Sequence, residues 1–151
     1  GRVRDKETDP DLTLPDVLIQ NKKIENIEEI LLMIYNNKST HGKGKMYASI
    51  LRNVDFELAY FYAKGIQNKG MLSYGPFTIK GTNCSRFTAA VIRNSNPSVI
   101  KKLRLRFPFC ISPSPKRNVS IVNNNYYIVS DQKCKKVKKT KLQAYFTSIE
   151  K

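Results

Sequence analysis

Thr82-Asn83-Cys84-Ser85 brings together, at what reads as a helix start, the residue types that covalent acyl chemistry needs. Thiolate rather than thiol is the nucleophile, and the unpaired N–H groups and dipole at a helix N-terminus favour negative charge. The same N–H groups can hold the oxyanion of a tetrahedral intermediate. One short piece therefore offers Cys84 as nucleophile, with Asn83 and Ser85 as its supports. Against this stands a packing role, with Cys84 buried in its helix beside Phe87 and Val91; spacing alone favours that role.

A catalytic thiol needs a base in hydrogen-bond reach, normally a histidine oriented by a third polar group. His41 is the only histidine, 43 residues before Cys84 and in a loop with Gly42, Lys43 and Gly44. Its competing reading is a solvated loop residue. Cys84, Cys110 and Cys134 are an odd set without metal-type spacing, so neither a metal nor another cofactor is expected. Free thiols point to a reducing, cytoplasmic setting.

The elements that must position these groups follow from periodicity. The first 15 residues, polar and with two prolines, read as an irregular opening segment. Val17-Leu18-Ile19 suggests a short strand and Asn21-Lys22-Lys23 a turn. Asn26 with Glu29 forms a capping-box pattern ahead of Ile27, Ile30, Leu31, Ile34 and Tyr35. Met46 to Leu51 suggests a second strand. Asp55 then caps a helix whose wide apolar stripe, Phe56 to Ile66, predicts deep burial. Phe77-Thr78-Ile79 is a short extended piece, and the Cys84 helix runs toward Arg93. Pro97 suits the first position of a fourth helix ending before Pro108. Val119–Val122 and Tyr126–Val129 suggest a hairpin around Asn123-Asn124-Asn125. A brief amphipathic segment, Leu142 to Ile149, closes the chain. The class these elements imply is α+β, with helices packed against a small antiparallel sheet.

The run Tyr74-Gly75-Pro76, then Gly81-Thr82-Asn83-Cys84-Ser85-Arg86-Phe87, resembles the nucleophile region of NlpC-type, papain-like cysteine hydrolases. That pattern has tyrosine, a turn, then glycine, any residue, aspartate, cysteine, serine, glycine and an apolar residue opening a helix. Tyr74, ten positions before Cys84, is similar to the family tyrosine whose hydroxyl sits beside the thiol. Asn83 stands where the family has aspartate, and Arg86 where it has glycine. More of the chain resembles an uncharacterised bacterial domain-of-unknown-function family of papain-like type, through Gly1-Arg2-Val3-Arg4-Asp5, Tyr35-Asn36-Asn37-Lys38 and the Cys84 motif.

The resemblance implies a papain-like fold and amide or ester cleavage through an acyl-enzyme, on a peptide or acyl substrate with the peptide favoured. In the common order histidine follows cysteine, and here none does; a circularly permuted order puts histidine first and makes His41 the base. The resembled family also carries a histidine upstream of the segment matching Gly1. Since the chain opens without methionine, an upstream segment is expected, and with it an incomplete or inactive site is the alternative outcome. The domain is expected over residues 1–130, followed by a basic extension over 131–151.

Net charge is +15, and residues 101–151 hold 13 Lys or Arg against Asp131 and Glu150. Such a surface attracts polyanions. The competing class is accordingly a nucleic-acid-binding module without catalysis. Lys101, Lys102, Arg104, Arg106, Lys135 and Lys136 would contact RNA or DNA phosphates, and Tyr126, Tyr127 and Tyr145 would stack on bases. No base-reading motif supports it, and tyrosines in strands usually pack. No apolar run approaches the ~20 residues of an integral membrane span. A peripheral membrane role for the Lys-rich end is weaker, because its apolar face is short. Nothing in the sequence fixes the oligomeric state.

Overall fold

Two left-handed turns without glycine set the two hairpins of the described residues. The computed structural model describes residues 2–4, 7, 9–40, 42, 44–75, 81–106, 110 and 113–146. The chain divides into two compact units, one built on Arg4–Ala48 and Asn125–Lys138, the other on Ser49–Asn124 with the C-terminal helix.

In the first unit, β1 (Ile19–Gln20) and β2 (Lys23–Ile24) pair antiparallel across Asn21 and Lys22, whose φ angles are 48° and 59°. Positive φ at both central residues is the turn that matches strand twist. The strand thus begins two residues later than Val17, and Val17 and Leu18 stay exposed. Asn26 accounts for the shift. It precedes α1 (Ile27–Asn36) at the cap position, yet its side chain does not cap the helix. Its Oδ1 accepts from the Leu18 N–H (3.0 Å), while Nδ2 donates to Asp16 O (2.8 Å) and to Glu29 Oε2 (3.4 Å). The expected capping box is replaced by a clasp on the preceding strand.

A three-stranded antiparallel sheet, ordered β3 (Met46–Ala48), β4 (Tyr126–Ser130), β5 (Lys133–Val137), packs against α1, which buries Ile30 and Leu31. The β4–β5 turn uses Asp131 and Gln132 at φ 51° and 58°. Asn36 and Gln132 exchange two amide hydrogen bonds, 2.9 and 2.7 Å, tying the end of α1 to that turn. The hairpin therefore lies one element further on than expected, with Tyr126–Ser130 as its first strand instead of its second.

The second unit is helical: α2 (Phe56–Gln67), α3 (Cys84–Asn94), α4 (Val99–Arg104), α5 (Pro115–Val122) and α6 (Lys141–Phe146). Asp55 caps α2 by accepting from the Leu58 N–H at 3.1 Å. Deep burial of α2 is not found: none of its residues is buried, and Phe56 and Phe61 are 72% and 67% exposed. Its packing partner in this unit is α3, so only the Ala59, Tyr62, Ala63 and Ile66 side is partly covered. A two-helix contact covers a narrower stripe than the one the sequence carries.

Two more expectations are corrected. Pro97 is not the first residue of α4; it is buried one residue before the Ser98 cap. Val119–Val122 is helix and not strand. Ser114 accepts from the Arg117 N–H at 3.1 Å and Pro115 opens the first turn, a start signal that outweighs three β-branched residues. Asn118, Ile121 and Val122 are then buried at helical spacing. Ala89, Ile92, Leu105, Ile121 and Val122 form the core of this unit, with Leu51 against it.

The molecule is α+β, with helices beside small antiparallel sheets. Among the described residues no helix is long and apolar enough to cross a membrane. Phe77-Thr78-Ile79 and the end of the C-terminal amphipathic segment lie outside the described residues.

Candidate active site

Asn83 starts the site. Extended at φ −142° and ψ 173°, it accepts the Arg86 N–H on Oδ1 at 2.8 Å, while its carbonyl takes the Phe87 N–H at 2.8 Å. These bonds fix Cys84 as the first residue of α3. The amide oxygen supplies the same capping acceptor that an aspartate would, without its charge. Helix packing turns Ala89, Ala90 and Ile92 inward, and Cys84 is exposed. The packing role weighed for Cys84 beside Phe87 and Val91 is overturned, because the buried face of α3 lies elsewhere.

Tyr74 is brought to the thiol by a short backbone clamp. The Thr82 N–H donates to Ser73 O (2.9 Å) and the Gly75 N–H to Thr82 O (3.1 Å), making a parallel bridge between Tyr74 and Thr82. Tyr74 Oη and Cys84 Sγ lie 3.6 Å apart and share a hydrogen bond. The phenol titrates above its ordinary value, chiefly through that bond, then through the sulfur's charge and through desolvation. A phenol and a sulfur therefore meet at one exposed point beside the first residue of α3.

The raised phenol pKa has a definite sign. Stability from the protonated phenol is fully present below the ordinary tyrosine value of about 10 and is lost as pH rises through the folded value. We expect one of the eight tyrosines to ionise late in an ultraviolet tyrosinate titration, and to return to the ordinary range in Cys84→Ala. Identical titration curves for the two proteins would show that the phenol does not sense the sulfur.

Residues 1–99 match the family described as type VI secretion system effector TseH-like. The chain belongs to that family. No curated protein and no solved structure matches it. The matched region of this TseH-like chain contains Cys84, Tyr74, Asn83, Ser85 and His41, whereas α5 and β5 lie beyond it.

Of the residues singled out for catalysis, Cys84, Tyr74, Asn83 and Ser85 share the α3 start; His41 lies outside the described residues. Two further residues support the turn. Arg86 Nη1 donates to Gly75 O at 3.4 Å, reaching from α3 back to the Tyr74 segment. Asn118, 4% exposed, donates from Nδ2 to Ser85 O at 2.8 Å, and its Oδ1 has no partner among the described residues. A buried asparagine at helical spacing with Ile121 and Val122 was the available signal for it, hidden by the strand reading of that segment. Thr88 Oγ1 also donates to Cys84 O at 2.9 Å.

The other two thiols differ from Cys84. Cys110 is buried, and Cys134 is pushed up by burial and then by the Glu28 carboxylate.

The cationic residues fall in both units. Lys101, Lys102 and Arg104 are on α4 with Arg106 just after it, and Lys135 and Lys136 are exposed on β5. Tyr126 and Tyr127 are each only 7% exposed, and Lys136 Nζ lies 5.7 Å from the Tyr127 ring centroid. These two tyrosines are packed and not presented for stacking; the Tyr145 side chain lies outside the described residues. Lysines along β5, an outer strand, are a common guard against edge-to-edge pairing.

Proposed function

We propose that this TseH-like chain is a papain-like cysteine hydrolase that cleaves an amide or ester, with Cys84 as nucleophile. The observation that carries the reading is the exposed Cys84 sulfur at the first residue of α3, 3.6 Å from the Tyr74 hydroxyl. The family's description as a type VI secretion effector supports an active protein rather than a structural one.

His41 takes the proton from the Cys84 thiol, and the sulfur attacks the carbonyl carbon. The carbonyl π electrons move to oxygen, where the Cys84 N–H and the Tyr74 hydroxyl steady the charge. The bond to the leaving nitrogen or oxygen breaks as His41 returns the proton to it. Water then attacks the thioester, His41 accepts its proton, and the carbon–sulfur bond breaks to release the acid. Asn83 and Ser85 hold the turn on which this happens. A peptide link is favoured over a lipid ester as substrate.

Thiol mapping tests the arrangement. Iodoacetamide near neutral pH is expected to alkylate Cys84 before Cys110 and Cys134 in the folded protein, and His41→Ala is expected to slow that alkylation several-fold. Equal rates with and without His41 would remove it as the base. A Cys84 rate no faster than that of an unstructured cysteine would count against the nucleophile itself.

A further inference from the structure

Between Glu57 and Asp131 the sequence contains no Asp or Glu. Within that stretch the helical unit forms a half-open cavity of about 400 Å³. Lys69, Arg86, Arg93 and Arg106 line it, and among the described residues no carboxylate does. Ile66, Leu72, Phe87 and Leu105 supply an apolar wall. The two helical arginines are oriented by main-chain carbonyls: Arg93 Nη1 donates to Leu105 O at 2.8 Å and Arg86 Nη1 to Gly75 O at 3.4 Å. A carbonyl positions a guanidinium without cancelling its charge, and each guanidinium carries five N–H donors.

Four like charges around one cavity raise its potential, and low-dielectric walls focus that potential inward. A volume of this size suits a small molecule rather than a polymer. The cavity borders the thiol site, sharing Thr82 and Arg86 of its supporting turn, but does not include the sulfur. Cys84 does not line it, and Arg86, Ala90 and Arg93 follow one another at helical spacing along the side of α3 that does. At ~100° per residue, Arg86 lies about 200° around the helix from Cys84.

We propose that this cavity binds a small organic anion, a carboxylate or phosphate carried on an apolar body, without using the Cys84 sulfur. The anionic head pairs with the guanidinium and ammonium groups, and the body packs on the Ile66–Leu72–Phe87–Leu105 wall.

The test is a titration of the full chain followed by amide NMR shifts, with phenyl phosphate, 3-phenylpropionate and, as the uncharged control, benzyl alcohol. At low salt one or both anions should shift the Arg86, Ala90, Arg93 and Leu105 amides, with affinity falling as salt rises. The tighter of the two identifies the head group. Lys69→Gln and Arg106→Gln should each weaken binding about tenfold, while Lys69→Arg and Arg106→Lys retain it; unchanged melting temperatures confirm the folds. Cys84→Ala should bind like the parent, so the site stands or falls independently of hydrolysis. Several outcomes would overturn the proposal: benzyl alcohol binding as tightly as the anions, no binding by either anion, shifts confined to the lysines of α4, or no loss in the Gln variants.

Discussion

Cys84→Ala is expected to lower turnover by at least on the order of 10³-fold on any amide or ester the parent protein cleaves, since the acyl-enzyme route disappears with its nucleophile. Stability should stay within about 0.5 kcal/mol of the parent, because the side chain is exposed and contributes nothing to the core. Alanine also has the higher helix propensity. Activity and stability thus separate at this position, which a merely structural cysteine would not permit. The measurement is hydrolysis of a panel of peptide amides and acyl esters, with thermal unfolding alongside. Retained turnover in the alanine protein would end the assignment. A large drop in melting temperature would instead mean that the thiol was holding the α3 start together.

The Cys84 turn was legible because its signals are local. A capping residue, a helix start and a tyrosine ten positions upstream all lie within one short segment, and the Tyr74–Cys84 contact follows from two backbone bonds inside it. The support from α5 was not legible. Ser85 is held by Asn118, 33 residues later, and that segment reads as a strand if its valines and isoleucine are weighed without the Ser114-Pro115 start signal. Asn26 shows the same limit in the other unit. Its pairing with Glu29 suggests a capping box, yet Leu18 and Asp16 compete for the amide, and that competition depends on how the preceding turn folds back. The left-handed pairs Asn21-Lys22 and Asp131-Gln132 carry no glycine to announce them. The turn at Asn21-Lys22 was nonetheless placed, with its strand started two residues too early, whereas the Asp131-Gln132 turn was missed and the hairpin set one element upstream. Periodicity located the α1, α2 and α3 stripes, but it could not say how many neighbours each stripe would meet. This is why α2 was expected to be deeply covered and is not.

Leu105→Ala is expected to be the most damaging single truncation in the helical unit. Leu105 is 1% exposed, follows α4 directly, and packs in one cluster with Ala89 and Ile92 of α3 and with Ile121 and Val122 of α5. Removing a buried leucine side chain costs its transfer energy plus that of the cavity left behind, about 2–5 kcal/mol. Set against a total stability of roughly 5–15 kcal/mol, that is a large share, and a melting temperature lower by about 10 °C is the expected reading. The main chain at this position matters as well, since Leu105 O accepts from Arg93 Nη1. Alanine keeps that carbonyl, so the effect isolates packing from hydrogen bonding. Ala89 and Ile92 lie one to two turns beyond Cys84 on the same helix, and loosening them frees the far end of the element whose first residue carries the thiol. Turnover by Leu105→Ala should accordingly fall at temperatures where the protein is still mostly folded, and stabilising the fold by cooling should restore it; Cys84→Ala should gain nothing from cooling. Chemical denaturation of the two variants, read beside their activity at several temperatures, tells the two kinds of loss apart. A Leu105→Ala protein as stable as the parent would mean that this cluster is not the core of the unit.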